Sequence, residues 1–218
     1  MYPEGATQKN PLAVLKPTKP PRRYTLEEYL RREERSRERH EYFDGIIVPV
    51  PMAKGPHNII TANIIVALGN ALQAADKDFT LFTNSQKVYL PSLNFGLYPD
   101  ALVISESPVY WDDNEVLLIN PLVIVEVLSR STRGYDRSEK FSEYKTLPTF
   151  REYVLIEQTK CLVETRFREE PDLWRETIVT DPNGNIALKS IGCSLSLADV
   201  YENIEFKTTP PAKPSRKR

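Results

Sequence analysis

The segment Leu122-Val123-Ile124-Val125-Glu126-Val127-Leu128 constrains this chain more than any other. A continuous run of valine, isoleucine and leucine is what a strand buried on both faces requires. Side chains alternate along a strand, so Leu122, Ile124, Glu126 and Leu128 share one face, and Val123, Val125 and Val127 the other. Glu126 therefore stands among apolar neighbours. Leaving a buried ion unpaired costs several kcal/mol. The carboxylate must be protonated, paired with a buried arginine or lysine, or bound to a divalent cation. The strand alone leaves both a core salt bridge and a metal site open.

A second strand carries another acid. In Tyr98-Pro99-Asp100-Ala101-Leu102-Val103-Ile104 the proline fixes φ and cannot donate to an interior ladder, so it opens a strand and leaves Asp100 at its entry. Alone, such a pair is a turn or a strand start. If two neighbouring strands bring Asp100 beside Glu126, the two acids suit Mg²⁺, which takes one or two carboxylates plus waters and substrate oxygens. Lys140 is the third piece. It follows Asp136 by four residues in the segment after the Glu126 strand. A helix packed over the sheet would aim Lys140 at the carboxylates while Phe141 and Tyr144 pack. There a lysine can orient an attacking water and offset charge in a phosphoryl transition state. On a wet surface it would only be an i,i+4 partner of Asp136.

The remaining pattern predicts mixed structure. Thr25-x-x-Glu28 is a capping box opening a helix through about residue 39, a stretch of almost unbroken charge. Asp44-Gly45 signals a hairpin. Residues 57–74 place Ile60, Ile64, Ala67, Leu68, Ala71 and Leu72 on one helical face. Strands are predicted over 80–83, 87–90, 97–104 and 122–128. A helix over 136–147 opens at a second capping box, Asp136-x-x-Glu139. Strands over 153–157, 161–168, 174–179 and 186–189 and a short helix over 196–203 follow. The fold class is α/β (α+β), a mixed central β-sheet flanked by helices.

Of the 218 residues, 40% are hydrophobic and 27% charged, which excludes wholesale disorder. Five prolines in the first 21 residues predict a flexible leader over 1–23, and the basic run at the other end a solubilising tail over 207–218. The domain is then 24–206. The leader carries five basic side chains against one acid, and the tail five against none, so the chain's net charge of −1 leaves −10 on the domain. Such a body argues against a broad basic DNA-binding face and leaves room for a carboxylate cluster around a cation. Cys161 and Cys193 make neither a disulfide framework nor a metal knuckle, so a cytoplasmic compartment is expected. Residues 59–75 are too short and too polar to span a membrane, and the N-terminus lacks the apolar core of a secretory signal. Two histidines, His40 and His57, are too few for a histidine-based zinc site. The absence of GxSxG, P-loop and GxGxxG patterns speaks against serine hydrolases and nucleotide cofactors.

Taken in order, Tyr98-Pro99-Asp100, Val125-Glu126-Val127-Leu128-Ser129, Tyr135-Asp136, Lys140, Tyr144, Leu147-Pro148 and Arg151-Glu152-Tyr153-Val154 resemble a widespread prokaryotic family described as restriction endonucleases, formerly a domain of unknown function. Glu41, within HEYFDGIIV, and His57, after Met52-Ala53-Lys54-Gly55-Pro56, match its N-terminal pattern. The likeness spans about residues 24–205. It implies the PD-(D/E)XK, restriction-endonuclease-like fold and an endonuclease that hydrolyses DNA with Mg²⁺, or Mn²⁺ in its place. Asp100 and Glu126 become metal-binding acids, Glu41 a further metal ligand, and Lys140 the lysine, moved from the usual position two places after Glu126, where Leu128 stands. His57 is carried as a pattern residue, more simply a packed histidine. Ser129, Thr132 and Asp136 shape the loop at the strand end. A homodimer is implied as well. The alternative is a catalytically inactive domain of this fold that binds DNA or protein, and action on RNA is a third possibility.

Overall fold

The computed structural model describes residues 22–75 and 78–206. The basic tail expected over 207–218, and the leader up to residue 21, lie outside the described residues.

The chain opens with α1 (Leu26–Glu33), started by the predicted capping box: Glu28 N–H donates to Thr25 Oγ1 at 3.1 Å, and Thr25 N–H to Glu28 Oε2 at 2.9 Å. The helix stops at Glu33 and does not reach residue 39. Residues 34–39 hold no apolar side chain to bury, and Glu33 instead accepts the His40 N–H at 2.8 Å, which turns the chain into a strand. That strand, β1 (His40–Phe43), pairs antiparallel with β2 (Ile46–Pro49). The two-residue turn between them has φ of 43° at Asp44 and 96° at Gly45, the doubly left-handed geometry that makes Asp-Gly a hairpin signal.

Next come α2 (Gly55–Ala74), β3 (Phe79–Thr83), β4 (Lys87–Leu90), β5 (Phe95–Leu97), β6 (Ala101–Ser105), β7 (Leu117–Leu118) and β8 (Val123–Leu128). After them follow α3 (Arg133–Arg137), α4 (Glu139–Tyr144), β9 (Glu152–Glu157), β10 (Val163–Glu170), β11 (Leu173–Val179), β12 (Asn185–Leu188), β13 (Cys193–Ser196) and α5 (Leu197–Val200). The main sheet has the order β11-β10-β9-β8-β6-β3, with β8 and β9 parallel and the other pairs antiparallel. A second sheet runs β2-β1-β5-β4-β7, and β12 and β13 pair by themselves.

The strand expected over 97–104 is thus two strands in two sheets, with Pro99-Asp100 as the corner. Pro99 has no N–H to offer either ladder. Asp100 gives its N–H to Val125 O at 3.1 Å, so the chain joins the main sheet beside β8. The helix expected over 136–147 is likewise two. It breaks at Ser138 (φ −117°, ψ −78°), whose Oγ donates to Gly134 O at 2.7 Å. Asp136 does not cap it; it lies inside α3 and is buried.

Both faces of the main sheet are covered. Val123, Val125 and Val127 pack with Ile60, Ile64, Leu68 and Leu72 of α2. Ile124 and Leu128 pack on the opposite side with Tyr135, Tyr144, Phe150, Tyr153 and residues of the second sheet. The predicted alternation holds through β8, and Glu126 lies on the side of the second cluster. Leu122 departs from it: it precedes the strand and packs on the α2 side. With this sandwich as the source of stability, Leu68→Ala, a fully buried contact of α2, is expected to lower the unfolding free energy by about 2–5 kcal/mol. Urea denaturation of the two proteins checks it.

Candidate active site

The Pro99-Asp100 corner presents the Asp100 carboxylate to the middle of β8. Its Oδ2 accepts the Val127 N–H at 2.7 Å, and its Oδ1 lies 2.9 Å from His57 Nε2. His57 sits in the first turn of α2. It is therefore a partner of the strand acid, not merely a packed histidine. Spacing could not show this, because 43 residues separate the two. Burial opposes a charge on His57, but the hydrogen bond and the charge of Asp100 outweigh it and raise its pKa.

Glu126 lies deeper. Lys140 Nζ, delivered by α4, is 2.7 Å from its Oε1, and the Tyr144 hydroxyl donates to the same oxygen at 3.1 Å. Tyr144, read from the sequence as a packing residue, is thus part of the site; its place four residues after Lys140 on one helical face was the available signal. Glu41 enters from β1 in the second sheet. Its Oε1 accepts the Tyr98 N–H at 3.3 Å and lies 3.7 Å from Lys140 Nζ. The depth is graded: the Glu126 and Lys140 side chains are each 6% exposed, against 14% for Asp100 and Glu41 and 15% for His57. The ion pair is the deepest part of the site and the other three side chains lie nearer the surface.

The local charge is unbalanced. Three carboxylates, those of Glu41, Glu126 and Asp136, act on the Lys140 ammonium, while Asp100 acts on Glu126, Asp136 and His57. Burial works against the charge on Lys140, yet Glu126, Glu41 and Asp136 raise its pKa well above the ordinary value and keep it protonated. Burial pushes Glu126 upward against the pull of Lys140, with Asp136 and Asp100 adding to the rise. Burial likewise lifts Asp136 to about 6 against Lys140 and a Thr132 hydrogen bond, with Glu41 and Asp100 reinforcing it. Asp136 lies in this field, and Thr132 in turn binds the Ser129 hydroxyl at 2.9 Å. A cluster of carboxylates offering oxygen donors fits a hard divalent cation. Among the described residues no group of three or more His, Cys, Asp or Glu side chains forms a ready metal cage. The fit is to a site of few carboxylates, with solvent or substrate oxygens making up the rest.

Residues 26–198 match the model of the Uma2 family, described as "Putative restriction endonuclease". The chain belongs to this family. An uncharacterised Synechocystis protein, sll1609, is 34% identical over 162 residues, covering 74% of this chain and 90% of that protein. Another, slr1290, is 29% identical over 191 residues, covering 87% and 97% respectively. Among solved structures, "a putative nuclease belonging to DUF820" from Anabaena variabilis superposes with a TM-score of 0.65. It is 18% identical and covers 82% of this chain and 97% of that one, a likeness of fold. The Uma2 match spans the Asp100 corner, the Glu126 strand and the Lys140 helix in one stretch. No helix of the described residues is long and apolar enough to cross a membrane.

The pKa of Asp136 carries a sign. Raised from 3.8 to about 6 on folding, it binds its proton more tightly in the native state. Its contribution is fully present below about pH 4 and is lost as pH rises through 6. Asp136→Asn in this Uma2 protein should therefore gain roughly 1–3 kcal/mol relative to the native chain at pH 8, with the gain vanishing near pH 4. Urea midpoints at the two pH values check it; an equal effect at both would refute it.

Proposed function

We propose that this Uma2 protein is a divalent-metal-dependent endonuclease that hydrolyses DNA phosphodiester bonds. The observation that carries the reading is the meeting of Glu126, Lys140 and Glu41 from three separate elements, beside an Asp100 fixed on both carboxylate oxygens.

Asp100, Glu126 and Glu41 would hold Mg²⁺, with Mn²⁺ as substitute. When bound, such an ion activates water and stabilises charge on phosphoryl oxygens. The chain's own groups do the rest. The Val127 N–H and His57 Nε2 lock the Asp100 carboxylate from two directions, so it needs little reorganisation on binding. Lys140 keeps its proton, so it acts as a donor: its ammonium orients an attacking water and offsets the charge that builds on the phosphoryl group. Tyr144 steadies Glu126 through the oxygen that Lys140 also uses.

One observation favours the inactive alternative. Leu128 occupies the usual lysine position, and Lys140 lies directly on Glu126. A domain of this geometry could bind DNA or protein with a salt bridge in place of a metal. Cleavage of both DNA strands would call for two copies of the site, and a homodimer is the simplest assembly that supplies them.

Supercoiled plasmid, single-stranded DNA and labelled RNA, incubated with Mg²⁺ or Mn²⁺, separate these readings. Metal-dependent DNA cleavage is expected, with kcat falling about 100-fold or more in Glu126→Gln, Asp100→Asn and Lys140→Ala. Chelator should abolish it. No cleavage, no Mn²⁺ binding by calorimetry, and DNA binding that survives Asp100→Asn would establish the binding-domain reading. Sedimentation of the native chain reports the assembly.

A further inference from the structure

Lys87 and Lys140 are the two buried lysines among the described residues, and nothing in the site above uses Lys87. It is fully buried on β4. Its ammonium donates to the Tyr29 hydroxyl, lies 3.8 Å from Glu33 Oε1, and sits 4.1 Å and 4.6 Å from the ring centroids of Tyr29 and Tyr98. The sheet is shaped to take it. A Cβ at Gly96 would fall 3.1 Å from Lys87 Cδ, so the glycine makes room for the lysine stem. Burial lowers the Lys87 pKa to about 8, against the pull of Glu33 and Glu41. A chain that needed only stability would put an apolar side chain here.

Glu33 connects this cation to the site. Its Oε1 accepts the His40 N–H at 2.8 Å and the Tyr98 hydroxyl at 3.0 Å, and its Oε2 lies 3.0 Å from His40 Nδ1. His40 is the chain neighbour of Glu41. Tyr98 supplies the N–H that holds Glu41 Oε1 and lies two residues before Asp100. We propose that Lys87 and Glu33 are positioning residues: their ion pair clamps His40 and Tyr98, and through them fixes the Glu41 carboxylate against Lys140.

The kinetic part of this proposal rests on the nuclease reading; a double-mutant cycle on unfolding does not. Lys87→Met, Glu41→Gln and their combination are compared by urea denaturation. The two changes are expected to couple by at least about fivefold in the unfolding equilibrium constant. In the cleavage assay, Lys87→Met should lower kcat about 10- to 100-fold with the KM for DNA within threefold. Tyr98→Phe, which keeps its ring and N–H but loses the bond to Glu33, should lower kcat in the same way with little loss of stability. It also serves as the test if Lys87→Met does not fold. Additive stability effects, or full kcat in folded Lys87→Met or Tyr98→Phe, would overturn the proposal. A wild type without cleavage, beside a coupled cycle, would remove the nuclease reading and leave the clamp.

Discussion

The Lys140–Glu126 contact at 2.7 Å is the interaction around which the domain is arranged. A carboxylate in the middle of β8 has no access to bulk water, and a lone ion there would be worth several kcal/mol against folding. The chain answers by sending α4 over the sheet with an ammonium aimed downward and Tyr144 one turn on. The aromatic residues around them, Tyr135, Tyr144, Phe150 and Tyr153, pack in one cluster with the main-sheet residues on this side. They shut out solvent and so strengthen each polar contact inside. Breaking one partner would leave the other charged and dry. Replacing the whole set with apolar side chains would be the simpler route to stability.

The second organising constraint is the corner at Pro99-Asp100. Two sheets must diverge there, since β5 belongs to one and β6 to the other. Proline ends one ladder and the Asp100 backbone N–H joins the next. The same residue then turns its carboxylate onto the Val127 N–H and His57. A single dipeptide thus sets the topology and places the Asp100 carboxylate. Asp100→Asn separates the two roles, since it keeps an oxygen that can accept the Val127 N–H while removing the negative charge.

Much of this was legible in the residues themselves. The alternation in β8, the apolar face of α2, the Asp-Gly hairpin and the Thr25 capping box each rest on a local rule, and each appears. The misread boundaries are those decided by side-chain bonds and sheet pairing that no periodicity reports. The first helix stops at Glu33 because that side chain serves His40, and the strand through Pro99 divides because two sheets meet there. The helix after β8 breaks at Ser138, whose hydroxyl bonds back to Gly134 O, although the Asp136-x-x-Glu139 box predicted a single helix. In the site, burial in strand and helix pointed to Glu126 and Lys140. The His57–Asp100 bond and the Glu33–Lys87 network had no such signal, since they join residues 43 and 54 positions apart and no periodicity reaches that far.

The place of Lys140 also explains Leu128. Two residues along a strand is roughly 7 Å on the same face, and at 128 that place is taken by a leucine packed in the cluster that holds Tyr135 and Tyr144. That space is filled and Leu128 is fully buried. From α4 the stem descends onto the carboxylate from above and brings the ammonium within a charge-assisted hydrogen bond of it. A partner for Glu126 is set by a point in space, not by a place in the sequence. A helix packed over the parallel pair β8–β9 can supply that point while leaving the strand wholly apolar apart from Glu126.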